Sequence, residues 1–220
     1  YLLRGRAVHR DSTGAVRTID AGAVNWMTAG DGVVHTERSV PDDRSSSVEM
    51  FGMQTWVALP TGVEDEPARF EHSAAHEVPV DGADGVAVRV AVGTGFGLTA
   101  PIGGSSPLVL AELRLDDGSI TLEPDHPERG VVVMEGDLRL DGRRLDPVQL
   151  AVLRPGARAR LTGTGTVIVL GGEPVGRRHI WWNFVHSDPE VIDDAKQRWT
   201  EQRFPLVPDD HDPWVPLPGG

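Results

Sequence analysis

A chain of 220 residues with 39% hydrophobic content can bury a sizeable core, as one large domain or as two β domains of about 100 residues each, and is not dominated by disorder. Its formal net charge of −12 argues against direct nucleic-acid binding, which needs a clustered basic face to displace counterions from phosphates. The absence of cysteine excludes disulfides, thiolate metal sites and a cysteine nucleophile, and fits a reducing compartment.

With few aromatics but 26 Gly and 17 Pro, the composition is that of many short strands joined by turns, so the expected class is all-β. The chain opens on the apolar run Tyr1-Leu2-Leu3 and reads as cut inside a strand. Val86, Val88, Val90 and Val92 alternate with Ala87, Arg89 and Ala91, and Ile120 with Leu122 repeats the pattern, as expected of strands with one buried face. Asp81-Gly82, Asp116-Asp117-Gly118, Asp141-Gly142 and the pair Gly163 and Gly165 are read as breakers between strands. Gly93-Thr94-Gly95-Phe96-Gly97 has no following Lys-Ser/Thr and opens no helix, which argues against a phosphate loop. Arg154, Arg158 and Arg160, the densest basic cluster, read as a solvated strand edge.

One helix is expected, from Ser187 to near Arg203. Ser187 and Glu190 have capping-box spacing, Pro189 sits in the first turn, and Val191, Ile192, Ala195 and Trp199 form an apolar stripe. Trp181-Trp182-Asn183-Phe184 is expected to pack the tail onto a barrel, and Leu206 to Gly220 to lie extended or fray. No stretch approaches the roughly 18 to 20 apolar residues of a membrane span, and no signal-peptide layout opens the chain, so a cytoplasmic protein without membrane contact is expected.

A weak internal repeat organises the whole. Tyr1-Leu2-Leu3-Arg4-Gly5-Arg6-Ala7 parallels Val132-Val133-Met134-Glu135-Gly136-Asp137-Leu138, and Asn25-Trp26-Met27-Thr28-Ala29-Gly30 parallels Leu150-Ala151-Val152-Leu153-Arg154-Pro155-Gly156. Two related small barrels explain this better than one irregular sandwich.

Among eight histidines, His35 stands out. In Val33-Val34-His35-Thr36-Glu37 the strand period places His35 and Glu37 on one face, about 6.5 to 7 Å apart along the backbone, so an imidazole and a carboxylate can converge on one cation. Such a mixed N/O pair suits Fe(II), Mn, Ni or Zn, although a solvent-facing polar pair has the same spacing. His9 is expected in a turn or at the surface. His72 and His76 have helical ligand spacing but sit in what reads as a loop feeding a strand. His126 precedes the second repeat, where Leu161 and Gly163 replace the His35 and Glu37 positions; His179, His186 and His211 read as structural or exposed.

Trp26-Met27-Thr28-Ala29-Gly30-Asp31-Gly32-Val33-Val34-His35-Thr36-Glu37 resembles the signature of the pirin family, in which a Trp-Met-Thr-Ala-Gly turn leads into a His-x-Glu strand. Tyr1 to Gly5 with His9-Arg10-Asp11-Ser12, Met53 to Pro60 and Gly171-Gly172-Glu173-Pro174 resemble further pirin segments in the expected order. The resemblance implies two tandem cupin-type jelly-roll barrels, with a C-terminal helix and extended tail; the division expected is 1–100 and 101–220. It also implies one metal, usually iron, in the first barrel, held by three His and one Glu. His35 and Glu37 match the second half of that set as metal ligands, with Glu37 also a proton acceptor. The first half, a His-x-His pair, has no counterpart here, which implies weakened binding of Fe(II) or another divalent metal.

The activity implied is O2-dependent 2,3-dioxygenation of a flavonol-like small molecule such as quercetin. The resemblance also allows a non-catalytic, metal-dependent regulatory module with a protein partner. A bicupin that has lost its metal is the third alternative.

Overall fold

The computed structural model describes residues 1–40 and 49–219, and in it the chain is built almost wholly of antiparallel strands with one α-helix near the C-terminus. It divides into two compact units, Tyr1–Ala74 with Val175–Gly220, and Ala75–Pro174. This differs from the expected division at residue 100: the segment after Pro174, helix included, packs in the unit that holds the chain's first strands.

The first unit opens with β1 (Leu2–Arg4), β2 (Arg6–Asp11), β3 (Val16–Asp20), β4 (Val24–Thr28), β5 (His35–Ser39), β6 (Phe51–Gly52) and β7 (Arg69–Ser73). They form a three-stranded sheet in the order β3-β2-β5 and the pairs β1-β6 and β4-β7. The pirin-like segment from Met53 to Pro60 carries no strand; the β1-β6 ladder ends just before it, with the Met53 amide donating to the Tyr1 carbonyl.

The second unit contains β8 (Val80–Ala83), β9 (Val86–Gly95), β10 (Leu98–Thr99), β11 (Leu108–Leu122), β12 (Glu128–Leu140), β13 (Arg143–Leu145), β14 (Leu150–Leu153) and β15 (Ala159–Gly172). One eight-stranded sheet runs β10-β9-β11-β15-β12-β13, with β8 on β9 and β14 on β12. The valine alternation of β9 holds only in part: Val90 and Val92 are buried, and so is Ala91, because the β9-β11 register slips between Leu110 and Ala111. Leu113, Leu138, Leu161, Val131, Val133 and Val167 fill the core with no solvent exposure. Desolvation of side chains of this size contributes about 1.5–3 kcal/mol each.

Gly118, Gly163 and Gly165 are not breakers. Gly118 lies inside β11 where its register with β15 shifts, and the other two lie inside β15. Long strands curl into a barrel by local kinks that these glycines permit. The internal repeat holds in part: Gly5 separates β1 from β2, whereas Gly136 lies within a continuous β12, just past its register shift between Val133 and Glu135, and β4 and β14 each run into a glycine-containing turn.

After β16 (His179–Trp181) and β17 (Phe184–His186), α1 spans Pro189–Thr200. Its N-cap is Asp188, whose side chain accepts from the Glu190 amide at 2.9 Å. Ser187, the expected cap, is instead drawn to buried Glu64, to which it donates from both its amide and its hydroxyl. The Arg178 Nε is 2.8 Å from the same carboxylate. Breaking a buried charge pair of this kind leaves one charge stranded, so it ties the 59–64 loop firmly to the returning chain.

Trp182, Phe184, Trp199, Phe204 and Trp214 form a ring cluster, with Trp199 stacked on Trp214 at 4.0 Å. Of the two expectations for the tail, extended or frayed, the docked one holds: Val207 is fully buried, and the Trp199 indole donates to the Val215 carbonyl at 2.8 Å.

Gly163 has φ +123°, and a Cβ there would stand 2.3 Å from the Asp137 carbonyl oxygen. Gly163→Ala is expected to lower stability by about 1 kcal/mol or more, read as a fall in denaturation midpoint at unchanged m-value.

Candidate metal site

Strand β5 pairs with β2 so that Asp11 faces His35, Arg10 faces Thr36 and His9 faces Glu37. Cross-strand partners share a face, and faces alternate along each strand. One face of this sheet therefore carries His9, Asp11, His35 and Glu37, and the other carries Arg10, Thr36 and Arg38. His35 and Glu37 share the first face, with His35 half-buried and Glu37 exposed.

His9 is corrected. It lies in β2 with 2% exposure, its ring stacked on Phe70 at 4.5 Å and against His35 at 5.8 Å. Its Nε2 is 3.0 Å from the Asp11 carboxylate. Asp11, wholly buried, also accepts from the Thr13 amide, the Thr13 hydroxyl and the Ala15 amide. Burial pushes the Asp11 carboxyl up, but the hydrogen bonds, led by Thr13 and His9, outweigh it and hold the group below its usual value. With Nε2 committed to Asp11, His9 braces the His35–Glu37 face and is not itself poised to bind a metal through that nitrogen. The alternation of His9 and Asp11, matched to that of His35 and Glu37, was the sequence signal for this arrangement.

Burial also pushes the His35 imidazole below its usual value, and neighbouring His9 adds to this, while Glu37 and Asp11 pull the other way. A neutral imidazole is the form a metal needs. Donor chemistry and placement therefore fit a divalent cation at His35 and Glu37. Among the described residues, no group of three or more His, Asp or Glu side chains is placed to hold a metal ion together.

The remaining histidines stand apart. His72, in β7 and not a loop, has Nδ1 2.8 Å from the Asn25 side-chain oxygen, and His76 is exposed. In the second unit, His126 Nε2 is 3.0 Å from the Thr94 carbonyl oxygen, and the nearby cavity measures about 20 Å³, room for little more than a water. Arg154, Arg158 and Arg160 are exposed as expected; Arg158 pairs with Glu123 at 2.8 Å.

The turn before β5 is set by the returning chain. Gly32 has φ +127°, and a Cβ there would stand 2.5 Å from the Phe204 ring. Arg198 lies over that same ring at 4.4 Å. On the far face of β5, Thr36 Oγ1 donates to Asp210 at 2.6 Å and Arg38 Nη2 donates to it at 2.7 Å. Hydrogen bonds from Arg38 and Thr36 lower the Asp210 carboxyl from 3.8 to about 2. A depressed carboxylate stabilises the fold above its unfolded pKa, and that contribution is lost as pH falls through the folded value. The stability from this contact should be whole above pH 3.8 and fade toward about 2. Asp210→Asn is expected to flatten the acid limb of the stability–pH curve in that window, measured by chemical denaturation.

Comparison with known proteins agrees with this architecture. The pirin family profile matches residues 1–57, and the profile of the pirin C-terminal cupin domain matches residues 110–205. A pirin-like protein of Caulobacter vibrioides is 39% identical over 222 residues, covering 99% of this chain and 77% of the relative. A Pseudomonas aeruginosa protein provisionally named a quercetin 2,3-dioxygenase is 37% identical over 208 residues, covering 91% of this chain and 64% of the relative, a little under two thirds of its length. The crystal structure of quercetin 2,3-dioxygenase from Acinetobacter baumannii superposes with a TM-score of 0.86 at 29% identity, covering 99% of this chain and 74% of that one. With strand-built units, a His-x-Glu strand and these matches in agreement, the chain belongs to the pirin family of the cupin superfamily.

Proposed function

We propose that this chain carries the metal site of a pirin-type dioxygenase, with His35 and Glu37 as protein ligands of a divalent metal, Fe(II) foremost, and a flavonol such as quercetin together with O2 as substrates. The observation that carries the reading is the shared face of His35 and Glu37, braced by buried His9 and Asp11. Likeness to the Acinetobacter baumannii dioxygenase supports the reaction class.

When bound, the metal supplies Lewis-acid and one-electron chemistry to a chelating enolate and O2. His35 offers a neutral nitrogen whose ring plane is limited by the His9 stack on one side. Glu37, exposed beside it, is placed both to hold the metal and to accept the proton of a flavonol hydroxyl as the substrate docks. His9 and Phe70 keep a stacked wall next to the ligands, which orients a planar aromatic substrate and limits water on that side.

The test is loss of the flavonol absorption band in air by the Fe(II)-loaded protein. Turnover is expected to fall by at least about 100-fold in His35→Ala and in Glu37→Gln. Turnover unchanged in both variants would remove the site from the reaction. Absence of turnover in the wild type, with metal bound through His35, would instead support the regulatory-module reading.

A further inference from the structure

We infer that Asp210, in the C-terminal tail, is a positioning residue for the metal strand: it fixes β5 from behind so that His35 and Glu37 present their donors together. This rests on the metal reading of those two residues. The contact is one of geometry. Four successive side chains of β5 alternate in direction, His35 and Glu37 to the ligand face, Thr36 and Arg38 to the opposite face. Asp210 engages both of the latter at once. Oδ2 accepts from the Thr36 hydroxyl at 2.6 Å, while Oδ1 accepts from Arg38 Nη2 at 2.7 Å and from Nε at 3.2 Å. Arg38 Nη2 also donates to the Asp212 carbonyl at 3.2 Å, and Arg10, across from Thr36, brings Nη1 to 4.0 Å from Asp210.

A forked guanidinium–carboxylate pair and a hydroxyl on one carboxylate fix direction as well as distance. The strand needs such a fixture. Among the described residues β5 is the last strand of its three-stranded sheet, hydrogen-bonded to β2 on one side, and edge strands open locally at low cost. Its own side chains are half-buried or exposed, so packing alone holds it weakly. The carboxylate is itself held: Val207, three residues earlier, is fully buried, and Trp199 stacks on Trp214 just beyond. A ligand pair two residues apart keeps a common aim only while the strand between them does not twist. Thr36 and Arg38 are the residues through which that twist is set.

The experiment compares wild type, Asp210→Ala, the milder Asp210→Asn and His35→Ala, using Co(II) as the probe metal and amide hydrogen exchange without metal. The expected result for Asp210→Ala is exchange about tenfold faster over residues 35–39, with α1 unchanged. Co(II) affinity should fall about tenfold and the cobalt visible spectrum should change, as when a supporting group behind a ligand is lost. Asp210→Asn should shift each quantity in the same direction by less. Unaltered exchange over residues 35–39, or wild-type Co(II) affinity and spectrum in both Asp210 variants, would overturn the inference. Co(II) binding indifferent to His35→Ala would overturn the metal reading instead, and exchange over residues 35–39 then decides the clamp alone.

Discussion

The whole arrangement depends on the two-sidedness of one five-residue strand. In β5 the extended backbone sends His35 and Glu37 one way and Thr36 and Arg38 the other, so the proposed ligand pair and its structural anchorage lie on opposite faces of the same peptide units. Nothing between His35 and Glu37 can shift without moving both. The strand is short, lies at a sheet edge and buries little of itself, so its neighbours must supply its rigidity.

Those neighbours come from distant parts of the chain. On the His35–Glu37 face, β2 contributes the His9–Asp11 pair, in which a buried carboxylate is fully occupied by four donors and so holds its imidazole in place. On the far face the tail contributes Asp210. The turn leading into β5 is closed by Phe204, which needs the missing side chain of Gly32 to approach. The Trp199 and Trp214 stack fastens the tail that carries Asp210. The segment beyond Pro174 is thus structural support for the first unit.

The second unit contrasts with this. Its sheet is continuous and its core apolar, and its buried cation, Arg129, is spent on backbone: Nη1 donates to Glu123 at 2.8 Å and Nη2 to Arg154 at 3.2 Å and to Ala157 at 2.5 Å. Those bonds tie the two loops around residues 123 and 154–157 to one buried guanidinium. At the positions the internal repeat equates with His35 and Glu37, the second unit has Leu161, wholly buried in the core, and Gly163, a kink in β15. One unit is arranged around polar groups on a strand face, the other around dense packing.

Sequence by itself determined the all-β class, the repeated strand–glycine–strand units, the helix near residue 190 and the shared face of His35 and Glu37. These are local properties, fixed by period-2 alternation, turn chemistry and capping within a few residues. Tertiary structure alone decided that His9 is buried beside His35, that Ser187 leaves the helix cap for Glu64, that the chain beyond Pro174 belongs with the first strands, and that Asp210 grips β5. Each is a pairing between segments far apart in sequence, 174 and 172 residues for the bonds from Thr36 and Arg38 to Asp210. An isolated carboxylate in a Pro-rich tail carries no pattern that names its partner; only the folded path of the chain, driven by burial of Phe204 and Val207, brings it there.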